Sequence, residues 1–448
     1  MNAIKQFLQE LRSFFLLLLT QSFSALGSAM TSFALIVWSY EAHGSALTSA
    51  LLSVCSYAPY VVMSVFAGAL SDKWNKKITM LAADSFAAFC TVAVLVLLQT
   101  GKLQVWHLYC LNALNGLMNT VQQPAADVTI SLLTPEKYYQ RASGMRSFSN
   151  SLVSILAPVL ATTAMALFGI QAVIAFDLVT FGAAFLTLLF FIQIPKLQQA
   201  AECAKETVLQ SARSGLRYLR RNRGILDLIF FLAAINFIAS IYEAALPAML
   251  LSRSGGGEQA LGIVNAVSGV ALLVGSVVAS ALPEPKSRVR VICSTLLFSM
   301  STENFFLAFG RSVPVWCIGA VLGWISIPVM NANLDVLLRR FVPLPMQGRV
   351  YSARNTLQFF TIPLGYFAGG ILVDQVFEPF MAAQPSEGLL AAVFGTGKGA
   401  GAAALFFIIA VGGVLTCIVF KKDKYIWRLE REAYGSFGKR LPMDRDMA

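Results

Sequence analysis

Long apolar runs separated by short polar segments dominate the sequence. Read against the glycine, proline and charged residues between them, these runs predict twelve helical spans. Each run reaches the roughly 20 residues that a helix needs to cross a bilayer, whereas strands of an outer-membrane barrel would alternate between polar and apolar positions. The pattern predicts an all-α polytopic membrane protein with spans 1 to 12 at residues 14–40, 46–70, 78–99, 104–132, 142–168, 171–194, 225–251, 260–282, 289–309, 313–341, 350–374 and 399–420.

One long polar connection divides these spans into two groups of six. It carries seven lysines and arginines between spans 6 and 7. We therefore expect two six-helix bundles joined by a basic linker. The predicted division is a tail at 1–13, an N-terminal bundle at 14–194, the linker at 195–224, a C-terminal bundle at 225–420 and a tail at 421–448.

Composition agrees with a membrane protein, and the charge distribution predicts its orientation. The chain is 57% hydrophobic and 13% charged, about half the charged share of soluble domains. Of the 34 lysines and arginines, 30 lie in the tails, the linker and the loops on their side, and four lie in the opposite loops. Because cytoplasmic loops carry such an excess, we expect both termini in the cytoplasm. The net charge of +11 then faces lipid headgroups rather than nucleic acid.

Residues typical of metal sites and catalysis are scattered. The seven cysteines fall singly, without a paired spacing. His43 and His107 are the two histidines, both near the predicted outer face, and the sequence has no HExxH, Gly-x-Ser-x-Gly or phosphate-binding loop. We expect no metal, no cofactor and no enzymatic activity.

A weak internal repeat relates the two halves. Shifting the sequence by 208 residues places the end of span 4 and the start of span 5 on the end of span 10 and the start of span 11. Chance similarity between two short loops is the alternative, but the equivalent positions in two groups of six spans favour a duplication. The shift aligns Asp127, Pro135, Arg141 and Arg146 with Asp335, Pro343, Arg349 and Arg354.

The loop after span 2 carries a recognisable motif. It reads Gly68-Ala-Leu-Ser-Asp72-Lys-Trp-Asn-Lys76-Lys77 and resembles the signature between helices 2 and 3 of the major facilitator superfamily, with Asn75 where that signature usually has glycine. Within that superfamily the chain is most similar to drug exporters of the macrolide-efflux type and to their enterobactin-exporter relatives. Further residues carry the resemblance: Gly44 to Leu47, Pro59, Asp84, Pro124-Ala125, Thr134-Pro135, Ile174 to Leu178 and Ile194 to Lys196.

The resemblance implies a monomeric secondary transporter of the cytoplasmic membrane. Such a protein exports small amphipathic compounds by alternating access, with proton antiport as the driving reaction. An uncoupled or differently coupled transporter of a lipid-like molecule, siderophore or metabolite is the alternative. Two departures weaken the analogy with antiporters: span 4 has Asn115-Gly116 where exporters often have an arginine before the glycine, and span 5 has Ala157-Pro158 without further glycines.

The resemblance also implies a latch on the cytoplasmic face. Gly68 allows close helix packing, Asp72 can pair with an arginine or a helix N-terminus, and Lys76 and Lys77 hold the loop at the headgroups. Glu284 with its following bases is a diverged second copy. Further gate pairs would join acids to arginines, with static anchoring of helix ends as the alternative: Asp127 with Arg141 or Arg146, and Asp335 with Arg349 or Arg354.

Acidic residues inside the spans are the candidates for proton coupling. Ionisable groups in a membrane are costly and often functional, and here no lysine or arginine lies mid-span. Glu243 in span 7 and Glu303 in span 9 are the coupling or cation-binding candidates. The alternatives for Glu243 are a hydrogen-bonded structural role and a charge in the outer vestibule, and Glu303 lies closer to the outer edge of its helix. For Asp177 in span 6 the structural role is favoured. Asp374, at the end of span 11, is expected to face solvent.

The same charge pattern constrains the substrate. A mid-membrane site with acids and no arginine favours neutral or cationic amphipathic molecules over anions. Polar residues that could hydrogen-bond such a ligand from spans 1, 7 and 10 are Gln21, Asn236, Asn331 and Asn333.

Overall fold

The computed structural model describes residues 10–73, 75–135, 138–194, 208–342 and 347–429. Across these ranges the chain forms helices joined by short turns, with no strand. The prediction of an all-α polytopic protein is therefore confirmed. Span 1 begins and span 12 ends at the same end of the helices, which is called the basic end. The other end is called the opposite end.

The first six spans are continuous helices. They run from Arg12–His43, Ala46–Lys73, Lys76–Gln99, Val105–Leu133, Tyr139–Phe168 and Ile170–Phe190. Spans 7 to 9 are Arg223–Ser252, Glu258–Ala281 and Arg288–Phe309, and span 12 is Ala400–Lys421. Spans 10 and 11 are interrupted.

Eleven helices in the described ranges are long and apolar enough to cross a bilayer. Span 4, with 29 residues, is long enough to be the twelfth. Its apolar character is diluted by amide side chains such as Asn112, Asn115, Asn119 and Gln122. It packs against spans 2 and 3, where Asn112, Asn115 and Gln122 are partly buried, whereas Asn119 is exposed.

Span 10 breaks in its middle. It consists of Val313–Trp324 and Ile327–Phe341, separated by Ile325 and Ser326. Pro328 follows the break and cannot donate the backbone hydrogen bond that would continue the first helix. The Ser326 hydroxyl instead donates to the carbonyl of Thr295 in span 9, at 3.2 Å.

Span 11 is longer than predicted and irregular. It consists of Gln347–Phe359, Thr361–Ile371, a π-helical segment at Leu372–Phe377 and a final turn at Glu378–Ala382. The predicted end at residue 374 therefore falls inside the π-helical segment. Such segments occur often at functional positions because they redirect side chains.

Asn75 explains why the loop after span 2 tolerates the missing glycine. Its side chain accepts hydrogen bonds from the backbone amides of Lys77 at 3.0 Å and Ile78 at 3.3 Å. These are amides of the first turn of span 3, which have no partner within the helix. Asn75 is thus the N-cap of span 3.

A further helix, Val208–Arg221, lies in the predicted linker. Leu219 is buried in the core of the C-terminal half, and the Tyr218 hydroxyl donates to the carbonyl of Phe341 at 2.7 Å. Arg213, Arg217 and Arg220 are exposed. The helix therefore packs on the basic end of span 10 and keeps its charges outside.

Candidate substrate cavity and membrane-embedded acids

A central cavity of about 330 Å³ lies between the two halves of the chain. Its wall combines apolar side chains with a few hydroxyl, amide and carboxyl groups, which is the usual chemistry of a small-molecule site. Spans 1, 2 and 5 contribute from one half, and spans 7, 8, 10 and 11 from the other. The lining includes Phe33, Ser49, Ser53, Ser154, Pro158, Glu243, Asn265, Ser268, Trp324 and Tyr366.

Glu243 supplies the carboxylate of this cavity. Its side chain is half-buried on span 7, and among the described residues nothing donates a hydrogen bond to it or forms an ion pair with it. Besides its neighbour Tyr242, two tyrosines lie near it, Tyr57 of span 2 and Tyr366 of span 11. Their rings stack across the two halves with centroids 6.0 Å apart.

Glu303 lies behind the cavity wall rather than in it. It is 6% exposed, and its Oε1 atom accepts hydrogen bonds from the Tyr242 hydroxyl at 2.6 Å and the Trp324 indole at 2.8 Å. Gly323 lies so close that an added Cβ would overlap the carboxylate. The acid on span 9 is thus held between spans 7 and 10.

A second cavity of about 330 Å³ lies inside the C-terminal half, among spans 7, 9, 10 and 11. Glu303 and Asn304 line one part of it, and Arg354 and Gln358 line another. The Arg354 Nε atom donates to Gln358 Oε1 at 3.0 Å. An arginine expected at a surface gate therefore borders an internal cavity.

The two acids of the N-terminal half are tied to neighbouring helices. Asp177 is 4% exposed and accepts a hydrogen bond from the Ser28 hydroxyl at 3.0 Å, where Gly27 brings span 1 against span 6. Asp84 accepts from Gln21 at 3.5 Å and from Gln122. Gln21, a candidate for the substrate pocket, thus contacts an acid of span 3.

The three candidate asparagines lie in different surroundings. Asn236 and Asn331 line the second cavity, and Asn236 donates to the carbonyl of Gln358 at 3.3 Å. Asn333 is buried and accepts a hydrogen bond from Arg288 at 3.1 Å. None of the three is among the residues that line the central cavity.

The predicted latch is described in part. Gly68 and Asp72 belong to the helix of span 2, but the surroundings of Gly68 and the side chain of Asp72 lie outside what the structure describes. Lys77 donates to the carbonyls of Leu189 at 2.9 Å and Ile192 at 2.7 Å, which ties the start of span 3 to the end of span 6. Lys76 beside it is 8% exposed. Glu284 pairs with Arg288 at 3.3 Å and is exposed.

The predicted gate pairs also lie partly outside the described side chains. This applies to Asp127, Arg141 and Arg349. Arg146 is half-buried on span 5 and Asp335 is exposed on span 10.

Hydrogen bonds join the two halves at the opposite end. The Tyr40 hydroxyl of span 1 contacts Ser252 Oγ at 2.5 Å and the Ala248 carbonyl at 3.2 Å, both on span 7. Asp374 accepts from the Ser45 hydroxyl at 2.6 Å and from the amides of Ala46 and Leu47, each at 2.9 Å.

Asp374 therefore caps the first turn of span 2 from span 11. The expectation that it faces solvent was wrong, because the free amides at a helix N-terminus attract a carboxylate. The Ser45-Ala46-Leu47 segment signals a helix start in the sequence, but the acid that completes the cap lies 327 residues from Leu47.

A glycine seam joins spans 5 and 8 across the two halves. An added Cβ at Gly262 would lie 2.9 Å from Thr162 Cγ2, and one at Gly269 would lie 2.8 Å from Ile155 Cγ1. The small residues that span 5 lacks after Pro158 are thus supplied by the facing helix. Close approach of these two helices is retained by a different sequence.

Two halves of packed spans with a cavity between them match a known transporter architecture. The family model described as Major Facilitator Superfamily matches residues 17–366. This chain belongs to the major facilitator superfamily. The superfamily membership predicted from the loop motif is therefore confirmed. The chain is a multi-pass membrane transporter of small molecules rather than an enzyme.

Relatives of this chain include macrolide efflux proteins. Macrolide efflux protein A of Streptococcus pyogenes is 21% identical over 359 residues, which cover 80% of this chain and 88% of the relative. The uncharacterized MFS-type transporter YfiS of Bacillus subtilis is 24% identical over 330 residues, covering 71% and 76%.

Solved structures of other transporters share the fold of this chain. A bacterial homologue of the iron transporter ferroportin in an inward-facing state is 16% identical, with a TM-score of 0.67 over 92% of this chain and 98% of that one. A POT family transporter in complex with a thioalcohol-conjugated peptide is 12% identical, with a TM-score of 0.67 over 94% and 96%. At these identities the likeness concerns the fold alone.

Proposed function

We propose that this transporter exports neutral or cationic amphipathic compounds of the macrolide type from a bacterial cytoplasm in exchange for protons. The basic end lies in the cytoplasm and carries both termini, as the distribution of lysine and arginine favours. The two bundles rock about the central cavity, which opens alternately to either side.

The placement of Glu243 is the observation that carries this proposal. Its carboxylate lines a cavity between the two halves and has no described hydrogen-bond donor or cation beside it. Such a group can bind either a proton or a positively charged ligand. Proton and drug therefore exclude one another at Glu243, which is the requirement for antiport.

The cavity wall supports the proposed substrate class. The described lining contains one charged residue, Glu243, and no lysine or arginine. Aromatic rings of Phe33, Trp324 and Tyr366 provide apolar and π surfaces, which suit lipophilic cations. A multivalent anion would meet repulsion without a compensating base.

Contacts at the two ends support alternating access. The hydrogen bonds of Tyr40 and Asp374 close the opposite end in this structure. We take this to be the state that is closed to the outside. In the other state, Asp72 and the gate pairs Asp127 with Arg141 or Arg146 and Asp335 with Arg349 or Arg354 would close the cytoplasmic end.

Inverted membrane vesicles test the proposal. The vesicle interior is acidified, its pH is monitored, and erythromycin or tetraphenylphosphonium is added outside. Antiport carries the compound inward and protons outward, so the interior pH should rise above that of vesicles without the protein. An unchanged pH with both compounds contradicts antiport. If drug-loaded proteoliposomes still exchange labelled compound, the uncoupled alternative is supported instead.

A further inference from the structure

The second cavity, within the C-terminal half, has polar ends and mostly apolar walls. On span 9 its lining extends from Leu296 to Asn304, nine residues that cover about 12 Å along a helix. Its volume of about 330 Å³ is well above the roughly 10–15 Å³ that a single water needs, so it has room for several water molecules. Apolar side chains such as Leu232, Met300 and Met330 form the walls between its polar ends.

Trp324 separates this cavity from the central one. Among the described residues it is the one side chain that lines both cavities. Its indole nitrogen donates to Glu303, so the ring is fixed against the acid. A compound in the central cavity therefore meets the indole ring, while Glu303 borders the second cavity.

Asn304 provides an independent sign that this cavity holds a hydrogen-bonding ligand. The residue is 3% exposed and lines the cavity next to Glu303. Its amide nitrogen donates to the Met300 carbonyl at 3.4 Å, but within the described part of the chain its oxygen has no donor. A buried acceptor is destabilising unless a donor reaches it, and a water molecule at this end of the cavity would satisfy that requirement.

The other end of the cavity is polar and lies toward the basic end. Asn331 is exposed there, and the Arg354–Gln358 pair borders it from span 11. The titratable or charged groups that face Glu303 and its cavity are Tyr242 and Glu243 of span 7 and Arg354 of span 11. The charge of Arg354 disfavours a metal or organic cation as a resident ligand of this cavity.

We propose that Glu303 exchanges its proton with the cytoplasm through water in this second cavity, by a route separate from the drug path. The carboxylic acid transfers a proton to a water hydrogen-bonded to Asn304, and the proton leaves past Asn331. The inference rests on the antiport proposed above. It adds a second proton to the one that competes with drug at Glu243: the proton of Glu303 reaches the cytoplasm without passing through the compound's own cavity.

Filling the cavity tests the separate route. Ser299 is buried on span 9 and lines the cavity, so Ser299→Leu should obstruct the water path without reaching the central cavity. In proteoliposomes, uptake of tetraphenylphosphonium driven by a pH gradient should fall at least tenfold. Counterflow exchange of labelled for unlabelled compound, which moves no net protons, should stay within twofold of wild type.

Matched variants separate obstruction from a general effect on span 9. Ser299→Ala keeps the space open, and Ser294→Leu adds the same bulk at an exposed position of the same helix. Both should retain uptake within twofold. Asn304→Leu removes the unpaired acceptor and should reproduce the Ser299→Leu phenotype, which guards against misfolding of a single variant.

The outcomes distinguish this inference from the proposed function. A wild-type protein without gradient-driven uptake contradicts antiport itself. Normal uptake by wild type, Ser299→Leu and Asn304→Leu supports antiport and overturns the second route. Loss of counterflow together with uptake in both variants overturns the separation of the two routes.

Discussion

The Tyr242 hydroxyl donates a hydrogen bond of 2.6 Å to Glu303, while the next residue along span 7, Glu243, faces the central cavity. Of two adjacent residues on span 7, one is thus a candidate coupling acid and the other donates a hydrogen bond to the second candidate. A displacement of span 7 caused by ligand at Glu243 would also move the donor of Glu303. This geometry links the two cavities mechanically.

Removing the tyrosine hydroxyl should test that link. Tyr242→Phe leaves a buried carboxylate with one donor fewer, which costs about 1–3 kcal/mol and should lower the melting temperature. Uptake driven by a pH gradient should fall more than counterflow exchange. Tyr109→Phe, which loses a hydrogen bond to the Thr48 carbonyl, is the control and should affect both assays equally. Equal effects of the two substitutions would contradict a role for Tyr242 in coupling.

The Asp374 cap should control opening of the outer side. Asp374→Ala leaves the amides of Ala46 and Leu47 without their acceptor, and loss of such a cap costs about 0.5–2 kcal/mol. The outward-open state should then be more populated. A cysteine introduced at Ser49, which lines the central cavity, should react faster with an impermeant thiol reagent from outside, in a background without the native cysteines. The control is Glu387→Ala, at an exposed loop position, which should leave the rate unchanged. An unchanged rate in Asp374→Ala would show that this cap does not control opening of the outer side.

The glycine seam between spans 5 and 8 should limit closure of the halves. Gly269→Val places side-chain atoms where Ile155 now lies, so the halves cannot approach as closely, and we expect transport to drop severalfold with a lower melting temperature. Gly412→Ala is the matched control because an added Cβ there meets nothing within 4 Å. It should be neutral or slightly stabilising. If Gly269→Val transports normally, close approach at this seam is not required.

The loop after span 2 should bias the equilibrium between the two states. Asp72→Asn removes the carboxylate that would close the cytoplasmic end, so the balance of inward and outward cysteine accessibility should move toward inward. Lys102→Gln at the opposite end serves as the control. If Asp72→Asn leaves both cysteine accessibility and transport unchanged, the motif has no role in closing the cytoplasmic end and serves only as a positively charged turn that sets the topology.

The sequence predicts the membrane fold well because apolar runs of about 20 residues have few alternative explanations. It predicts the depth of Glu243 and Glu303 for the same reason. It does not predict the direction in which each acid points, because a helix that is apolar all round gives no amphipathic pattern to identify its buried face. Glu243 lines the shared cavity and Glu303 lies behind Trp324, a distinction that only packing reveals.

Long-range partners are the other part that the sequence leaves open. Tyr242 and Glu303 are 61 residues apart, and Asp374 meets a helix start in the other half of the chain. The break in span 10 has a local signal in Pro328, but the Ser326 bond that accompanies it depends on span 9. Irregular backbone and distant hydrogen bonds together shape both cavities.

Competition between drug and proton at Glu243 is the central claim, and proton release from the purified transporter measures it directly. In weakly buffered detergent solution with a pH indicator, tetraphenylphosphonium should release protons from the wild-type protein and from Glu387→Gln, and none from Glu243→Gln. Proton release from Glu243→Gln equal to that of wild type would contradict the account.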